Sequence, residues 1–319
     1  MSWKLLVLDD PAARYLKHLA KLPDKVDLVV GNTPEAFANH LGDASVVFVG
    51  MGSARLFREL WPSLRGVKWV HSMAAGVEGV LSPEFAASPV PCTNSRGVFA
   101  DSLGEFAIAA MLFYAKGLRR MLRNQEAGVW APHDVEELRG KTAGIVGYGS
   151  IGRAVAVRAR AFGMRVMAVR RKADEPDGLV ERMLPPQSLV ELMRESDYVV
   201  AALPLTATTR GSIGAEAFEA MKPSAVFINV GRGASVNETA LIEALRNRRI
   251  RGAALDVFAE EPLPADHPFW GLENVLVSPH CADHTPTWLD DAMELFLENF
   301  RRFQSGAPLR NVVDKANGY

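Results

Sequence analysis

The chain has 319 residues, 48% of them hydrophobic and 23% charged, with 36 Lys and Arg against 37 Asp and Glu and a formal net charge of -1. That length accommodates two domains of ordinary size, and the near-neutral balance excludes the broad basic field that nucleic-acid or anionic-membrane binding requires. Two cysteines, Cys92 and Cys281, exclude a disulfide framework, and no run approaches the roughly 18 apolar residues of a membrane span, so a soluble protein of a reducing cytoplasm is expected.

Short apolar runs alternate with helical patterns through the first hundred residues. Leu5–Leu8, Val26–Val30, Val46–Val49 and Trp69–Ser72 read as strands, with helical patterns over 12–22, 34–41 and 54–60 between them, which is a parallel α/β layout. The first of these runs is too short for a signal peptide and meets Asp9 and Asp10 at once. None carries a glycine fingerprint, so these strands are expected to form a separate, smaller open sheet. Residues 98–122 repeat Leu103, Phe106, Ala107, Ala110, Met111 and Tyr114 at helical spacing, which predicts one long helix crossing between domains. Residues 125–139 are polar and loop-like.

The chain is organised around residues 142–153. Thr142–Val146 is a short apolar strand that runs into Gly147-Tyr148-Gly149-Ser150-Ile151-Gly152 and then a helix with Ile151, Val155, Ala159 and Phe162 on one face. In this GxGxxG spacing the first glycine allows the tight turn, the second lets the backbone approach a pyrophosphate, and the third lets helix and strand pack closely. Arg165–Val169 supplies the second strand of the β-α-β unit that distinguishes a dinucleotide fingerprint from a chance glycine turn. NAD-binding domains place an acid about 20 residues past the glycines to hold the ribose 2′-hydroxyl. This chain has Arg170-Arg171-Lys172 there. Guanidinium groups pair with a 2′-phosphate that a carboxylate would repel, so NADP(H) is the expected cofactor, with NAD(H) as the alternative.

The strand–helix rhythm continues to the end of this domain. Tyr198–Leu203 leads into Pro204, Val226–Val230 into Gly231-Arg232-Gly233, Gly252–Val257 passes through Asp256, and Val275–Ser278 leads into Pro279-His280. In open parallel sheets the ligand binds beyond the carboxyl ends of the strands, so these residues are expected to share one crevice. Arg232, freed by flanking glycines, can fork onto a carboxylate. His280 is the acid–base candidate among seven histidines, because imidazole titrates near neutrality. Glu261 can raise the pKa of a neighbouring imidazole and keep its proton available. His280, Cys281, Asp283 and His284 invite a metal reading, but prolines at 279 and 286 frame a loop rather than a helix face that would align the histidines, so no metal is expected. A last helical pattern runs from Pro286 to Gly306 and is expected to return to the first domain, making that domain discontinuous.

With these residues in order, the sequence resembles the D-isomer-specific 2-hydroxyacid dehydrogenase family over nearly its whole length. The resemblance rests on Leu138–Thr142 leading into Gly147–Gly152, on Leu203-Pro204-Leu205-Thr206, on 228–233, on 255–262 and on Ser278-Pro279-His280. It implies two Rossmann-like or flavodoxin-like α/β domains with parallel sheets, a dinucleotide-binding domain over 99–286 inserted in a discontinuous substrate domain, 1–98 with 287–319. It also implies hydride transfer between a nicotinamide and C2 of a small 2-keto or 2-hydroxy acid. Arg232 would hold the substrate carboxylate and polarise the carbonyl, His280 would give the proton, and Glu261 would pair with His280. Leu203, Pro204, Val230, Gly231 and Asp256 would line the cofactor site. Met73–Val77 matches the small-residue turn whose N–H groups bind the substrate carboxylate, through Ala74, Ala75 and Gly76. Met51 would face the C3 substituent, and Trp288 would close the pocket. Cys281–His284 departs from the family's small apolar residues. The basic pair and His71–Gly76 look like the NADPH-dependent glyoxylate/hydroxypyruvate reductase branch. Glu261 departs from the formate dehydrogenase branch, and the chain ends too soon after Val313 for the C-terminal regulatory domain of many phosphoglycerate dehydrogenases. The resemblance further implies a homodimer, and it leaves one alternative, a nucleotide-sensing, corepressor-like binding protein on the same fold.

Overall fold

The computed structural model describes residues 3–171 and 177–319. Lys172, the third member of the basic run, lies outside the described residues. The chain divides into two compact units, Met1–Phe99 with Thr285–Tyr319, and Ala100–His284.

The first unit is built on five parallel strands, β1 (Trp3–Leu8), β2 (Val26–Gly31), β3 (Val46–Val49), β4 (Trp69–Ser72) and β5 (Cys92–Asn94), in the order β2-β1-β3-β4-β5. This is the flavodoxin-like order, with its switch point between β1 and β3. β1 and β3 pair from Leu5 with Val46 to Leu8 with Val49, and all eight residues are buried. A strand covered on both faces reads as an uninterrupted apolar run, which is why these two are plain in the sequence. Helices α1 (Ala54–Leu60) and α2 (Pro83–Ala87) bury Phe57, Leu60 and Phe85 in one core with Leu6, Leu8, Val47, Val49 and Val70 of the sheet. At α2, Ser82 Oγ accepts from the Phe85 N–H at 3.2 Å with Pro83 in the first turn, a combination that satisfies one orphan donor and presets the backbone.

The second unit begins with α3 (Ala100–Ala115) and α4 (Leu118–Glu126) and then alternates β6 (Thr142–Val146), α5 (Ser150–Ala161), β7 (Arg165–Val169), β8 (Arg182–Leu184), α6 (Leu189–Glu195), β9 (Tyr198–Ala201), α7 (Ala215–Ala220), β10 (Val226–Asn229), α8 (Glu238–Arg246), β11 (Gly252–Leu255) and β12 (Val275–Val277). Its seven strands are parallel in the order β12-β11-β10-β9-β6-β7-β8. Counted from β6, this is the doubly wound dinucleotide-binding order, reversing between β6 and β9.

The chain returns to the first unit in α9 (Trp288–Ser305), which ends at Gly306 in the left-handed conformation with φ 71°. Phe296 of α9 packs against Phe48 and Trp69 with ring centroids 4.8 and 5.5 Å apart. The tail then holds β5, with the Val313 N–H donating to Cys92 O at 2.8 Å. Among the described residues, no helix is long and apolar enough to cross a membrane.

The structure corrects several local expectations. The predicted helix over 98–122 is two helices, broken at Gly117, whose φ of 63° favours glycine and whose missing Cβ leaves room for His133 Nε2. Both helices belong to the second unit. The helical patterns over 12–22 and 34–41 are 3-10 turns, Arg14–Lys21 and Pro34–Phe37. The short elements β5, β8, α2, α6 and α7 give too few residues for a period to emerge.

Candidate active site

At the fingerprint, a Cβ on Gly147, whose φ is 101°, would lie 2.7 Å from Ala202 O, and one on Gly152 would lie 2.4 Å from Gly147 O. Both glycines are therefore required by close backbone approach. Gly149 has nothing within 4 Å of its Cβ position. The turn thus presents open space at the start of α5, where Ser150 and Ile151 begin the helix, and free N–H groups with the helix dipole suit a pyrophosphate there. Tyr148 is buried and its hydroxyl donates to Asp177 Oδ1 and Oδ2 at 3.0 and 2.9 Å, while Arg153 Nε donates to Asp177 Oδ2 at 3.2 Å. Beyond β7, Arg170 and Arg171 are exposed, and the Arg170 N–H donates to Leu184 O at 3.0 Å. A Cβ on Gly231 would lie 2.8 Å from both Leu203 N and Leu203 O, so glycine lets the Val230-Gly231 segment lie against Leu203, next to Pro204, at the ends of neighbouring strands.

Arg232, Glu261 and His280 converge at the ends of β10, β11 and β12. Glycine at 233 is what permits this: a Cβ there would lie 1.9 Å from the Phe258 backbone carbon. The turn carrying Arg232 therefore runs directly against the 258–261 turn, in which the Phe258 N–H donates to Glu261 Oε1 at 2.8 Å. Glu261 Oε2 lies 2.6 Å from His280 Nδ1. The hydrogen bond to Glu261 raises the His280 pKa, outweighing the partial burial that opposes a charged imidazole. Burial pushes Glu261 upward, but the bonds from His280 and the Phe258 N–H hold it below the usual carboxylate range, with the Arg232 charge adding to the effect. Arg232 Nη1 donates to Gly231 O at 2.8 Å.

His280 has φ 53°, unusual for a residue with a side chain. Its loop is held by Asp256, which is 1% exposed and whose Oδ1 accepts from Ser278 Oγ at 2.6 Å and from the Cys281 and Ala282 N–H groups at 3.0 and 3.1 Å. This anchoring was not apparent from the sequence; the signal was a serine two residues before the histidine. Among the described residues, no group of three or more His, Cys, Asp and Glu is placed to hold a metal ion.

In the first unit the turn after β4 is fixed by its carbonyls. Ala74 O accepts from the Ser95 N–H at 3.3 Å, and Ala75 O accepts from Asn94 Nδ2 at 2.6 Å. The N–H groups of Ala74, Ala75, Gly76 and Val77 have no acceptor among the described residues, an arrangement suited to an anion. Asn94 is a further residue missed in the sequence, marked only by a polar side chain closing a short strand. Met51, in the turn after β3, is 39% exposed. Trp288 opens α9 and meets Phe99 edge to face at 6.0 Å. His71 is a core residue: it is fully buried, its Nδ1 lies 2.8 Å from Thr93 Oγ1, and burial lowers its pKa to about 3.

Residues 108–282 match the family model for the D-isomer specific 2-hydroxyacid dehydrogenase NAD-binding domain. Among its relatives, glyoxylate reductase of Korarchaeum cryptofilum is 34% identical over 266 residues, 81% of this chain and 79% of that protein. Glyoxylate reductase of Thermococcus kodakarensis is 34% identical over 276 residues, covering 84% and 82%. Among solved structures, a D-isomer specific 2-hydroxyacid dehydrogenase from Xanthobacter autotrophicus Py2 in complex with NADPH and MES superposes with a TM-score of 0.88 at 28% identity, covering 100% of both chains. An NADPH-dependent glyoxylate/hydroxypyruvate reductase from Sinorhizobium meliloti in complex with NADP and sulfate superposes with a TM-score of 0.86 at 27% identity, again covering 100% of both chains.

Proposed function

This chain belongs to the D-isomer specific 2-hydroxyacid dehydrogenase family, and from that premise we propose that it reduces a small 2-keto acid to the D-2-hydroxy acid, with glyoxylate and hydroxypyruvate as the leading substrates and NADPH preferred over NADH. The observation that carries the reading is the 2.6 Å contact of Glu261 with His280 Nδ1 beside Arg232. A proton donor is thereby paired with a cation that can receive a carboxylate.

When bound, the nicotinamide supplies the hydride that adds to C2. Arg232 draws the carbonyl and carboxylate oxygens toward its guanidinium and stabilises negative charge developing on the carbonyl oxygen. His280 engages Glu261 through Nδ1, which leaves Nε2 to deliver a proton to that oxygen as C2 is reduced. Ala74, Ala75 and Gly76 take the substrate carboxylate on their N–H groups, Met51 faces the C3 substituent, and Trp288 covers the substrate. Gly147–Gly152 receive the pyrophosphate, Arg170 and Arg171 the 2′-phosphate, and Leu203, Pro204, Val230, Gly231 and Asp256 line the nicotinamide side. The first unit is the substrate domain and the second the dinucleotide-binding domain.

The NADPH preference is supported by the basic pair at the end of β7 and by relatives solved with NADP or NADPH. A reducing cytoplasm suits Cys92 and Cys281, both free thiols. A homodimer is supported by the apolar surface of α4 and the segment after it, where Leu122, Val129 and Trp130 are exposed, Trp130 to 95%.

Initial rates with NADPH and with NADH, against glyoxylate, hydroxypyruvate, pyruvate, phenylpyruvate and oxaloacetate, test the reading. Turnover favouring NADPH is expected, and replacing both Arg170 and Arg171 with Ala should raise the KM for NADPH about 10- to 100-fold while changing that for NADH far less. Turnover with NADH alone would overturn the cofactor preference. Nucleotide binding without turnover of any acid would replace the reductase with a nucleotide-sensing protein.

A further inference from the structure

At the carboxyl end of β1 the first unit holds a buried carboxylate with no part in the hydride and proton transfers. Asp9 is 7% exposed. Its Oδ1 accepts from the Asp10 N–H at 2.8 Å and its Oδ2 accepts from the Tyr15 hydroxyl. An ionised carboxylate offers about four acceptor sites, and these are the only two donors it meets among the described residues. Burial raises the Asp9 carboxyl pKa, a measure of how poorly its charge is satisfied.

The fold makes room for this group. A Cβ at position 50 would lie 1.7 Å from Asp9 Oδ2, so glycine is required there because the carboxylate occupies the space of a side chain on the neighbouring strand end. Beyond the regular strands the ladder continues, with the Gly50 N–H donating to Leu8 O at 3.0 Å and the Met73 N–H to Val49 O at 2.9 Å. The ends of β1, β3 and β4 are therefore in line, and β1 and β3 flank the switch point, where an open parallel sheet receives its ligand. By leaning over Gly50, the Asp9 carboxylate stands at the end of β3, one strand spacing of about 4.8 Å from the turn after β4. In a three-carbon keto acid the carboxylate carbon and an oxygen on C3 are roughly 3–4 Å apart at ordinary bond lengths, short enough for neighbouring strand ends to bind both. Met51, whose backbone lies against the Tyr15 hydroxyl, covers the same corner.

We propose that Asp9, given its space by Gly50 and held by Tyr15, is a specificity residue that accepts a hydrogen bond from a hydroxyl on C3 of the substrate and excludes a carboxylate there. The proposal rests on the keto-acid reading, with the substrate carboxylate on the turn after β4. Hydroxypyruvate-like acids then rank above pyruvate, which lacks the hydroxyl, and above oxaloacetate, whose second carboxylate meets a like charge in a poorly hydrated corner.

The test is kcat/KM of the full-length enzyme with NADPH for glyoxylate, hydroxypyruvate, pyruvate and oxaloacetate, in the wild type, in Asp9→Asn and in Tyr15→Phe. The wild type should favour hydroxypyruvate over pyruvate by about 10- to 100-fold, because a site built around a substrate hydroxyl rejects the analogue without it. Asp9→Asn should lower that ratio about tenfold and raise oxaloacetate relative to pyruvate, with glyoxylate, which has no C3, losing far less than hydroxypyruvate. Tyr15→Phe should shift the ratio in the same direction by less. A wild type that does not distinguish hydroxypyruvate from pyruvate overturns the proposal even if neither variant folds. Equal losses on all four acids overturn it as well, since they mark a purely structural anchor. Glyoxylate turnover keeps the reductase reading separate from this result, whereas a wild type inactive on every acid overturns both.

Discussion

At the scale of single residues, the same side chain is given opposite properties by its surroundings. His71 and His280 both lie near strand ends, but His71 is enclosed by apolar rings and loses its proton readily, with a pKa lowered to about 3. His280 faces Glu261 and holds its proton above the ordinary imidazole range. This difference sets the sign of the pH dependence. Reduction draws on the protonated imidazole, so kcat/KM should be sustained below the raised His280 pKa and fall as pH rises through it. Glu261→Gln removes the negative charge that raises the value and weakens the bond, leaving burial and the Arg232 charge, which lower it, against only the smaller raising effect of the Asp256 charge. The descending limb of the pH–rate profile should then move to lower pH. A limb left in place would remove Glu261 from the role of holding the proton.

At the scale of elements, the catalytic residues are positioned by turns in which two backbones touch. Gly233 lies against Phe258 and Gly231 against Leu203, so the turns after β9, β10 and β11 are fixed to one another rather than packed through side chains. Gly233→Ala introduces a Cβ 1.9 Å from a backbone carbon that cannot rotate away. It should cost about 1–3 kcal/mol or more in stability and lower kcat by displacing Arg232 from Glu261. Denaturant unfolding together with steady-state rates checks this; near-normal stability and rate would mean that the turn relaxes at little cost. Asp256 does comparable work for the last loop, gathering two N–H groups and a hydroxyl so that His280 can hold its left-handed backbone. Gly117 shows the opposite use of glycine, ending α3 and starting α4 where periodicity alone read straight through.

At the scale of the whole molecule, each unit has its own parallel sheet and its own buried core, and the second also carries apolar side chains into solvent. Leu118, Met121, Leu122, Val129, Trp130 and Val135 are all exposed, within one short stretch of chain. If a second copy covers this surface, sedimentation should report a dimer, and Trp130→Glu should shift it toward monomer by placing a charge where apolar area is buried. A monomeric wild type at micromolar concentration would remove the homodimer.

The sequence by itself determined the parts of this protein that depend on local pattern. The apolar runs of β1, β3, β6 and β10 marked buried parallel strands, and the GxGxxG spacing marked the turn into α5, because strand burial and glycine geometry act over a few consecutive residues. The order and spacing of motifs identified the family, and with it Arg232, Glu261 and His280 as the candidate catalytic residues. Only the tertiary structure decided how those residues meet. The 2.6 Å contact between Glu261 and His280, the grip of Asp256 on the loop 278–282, and the Asp9 carboxylate over Gly50 join positions distant in sequence. Hydrogen bonds and excluded volume depend on separation in space, and a linear pattern records neither.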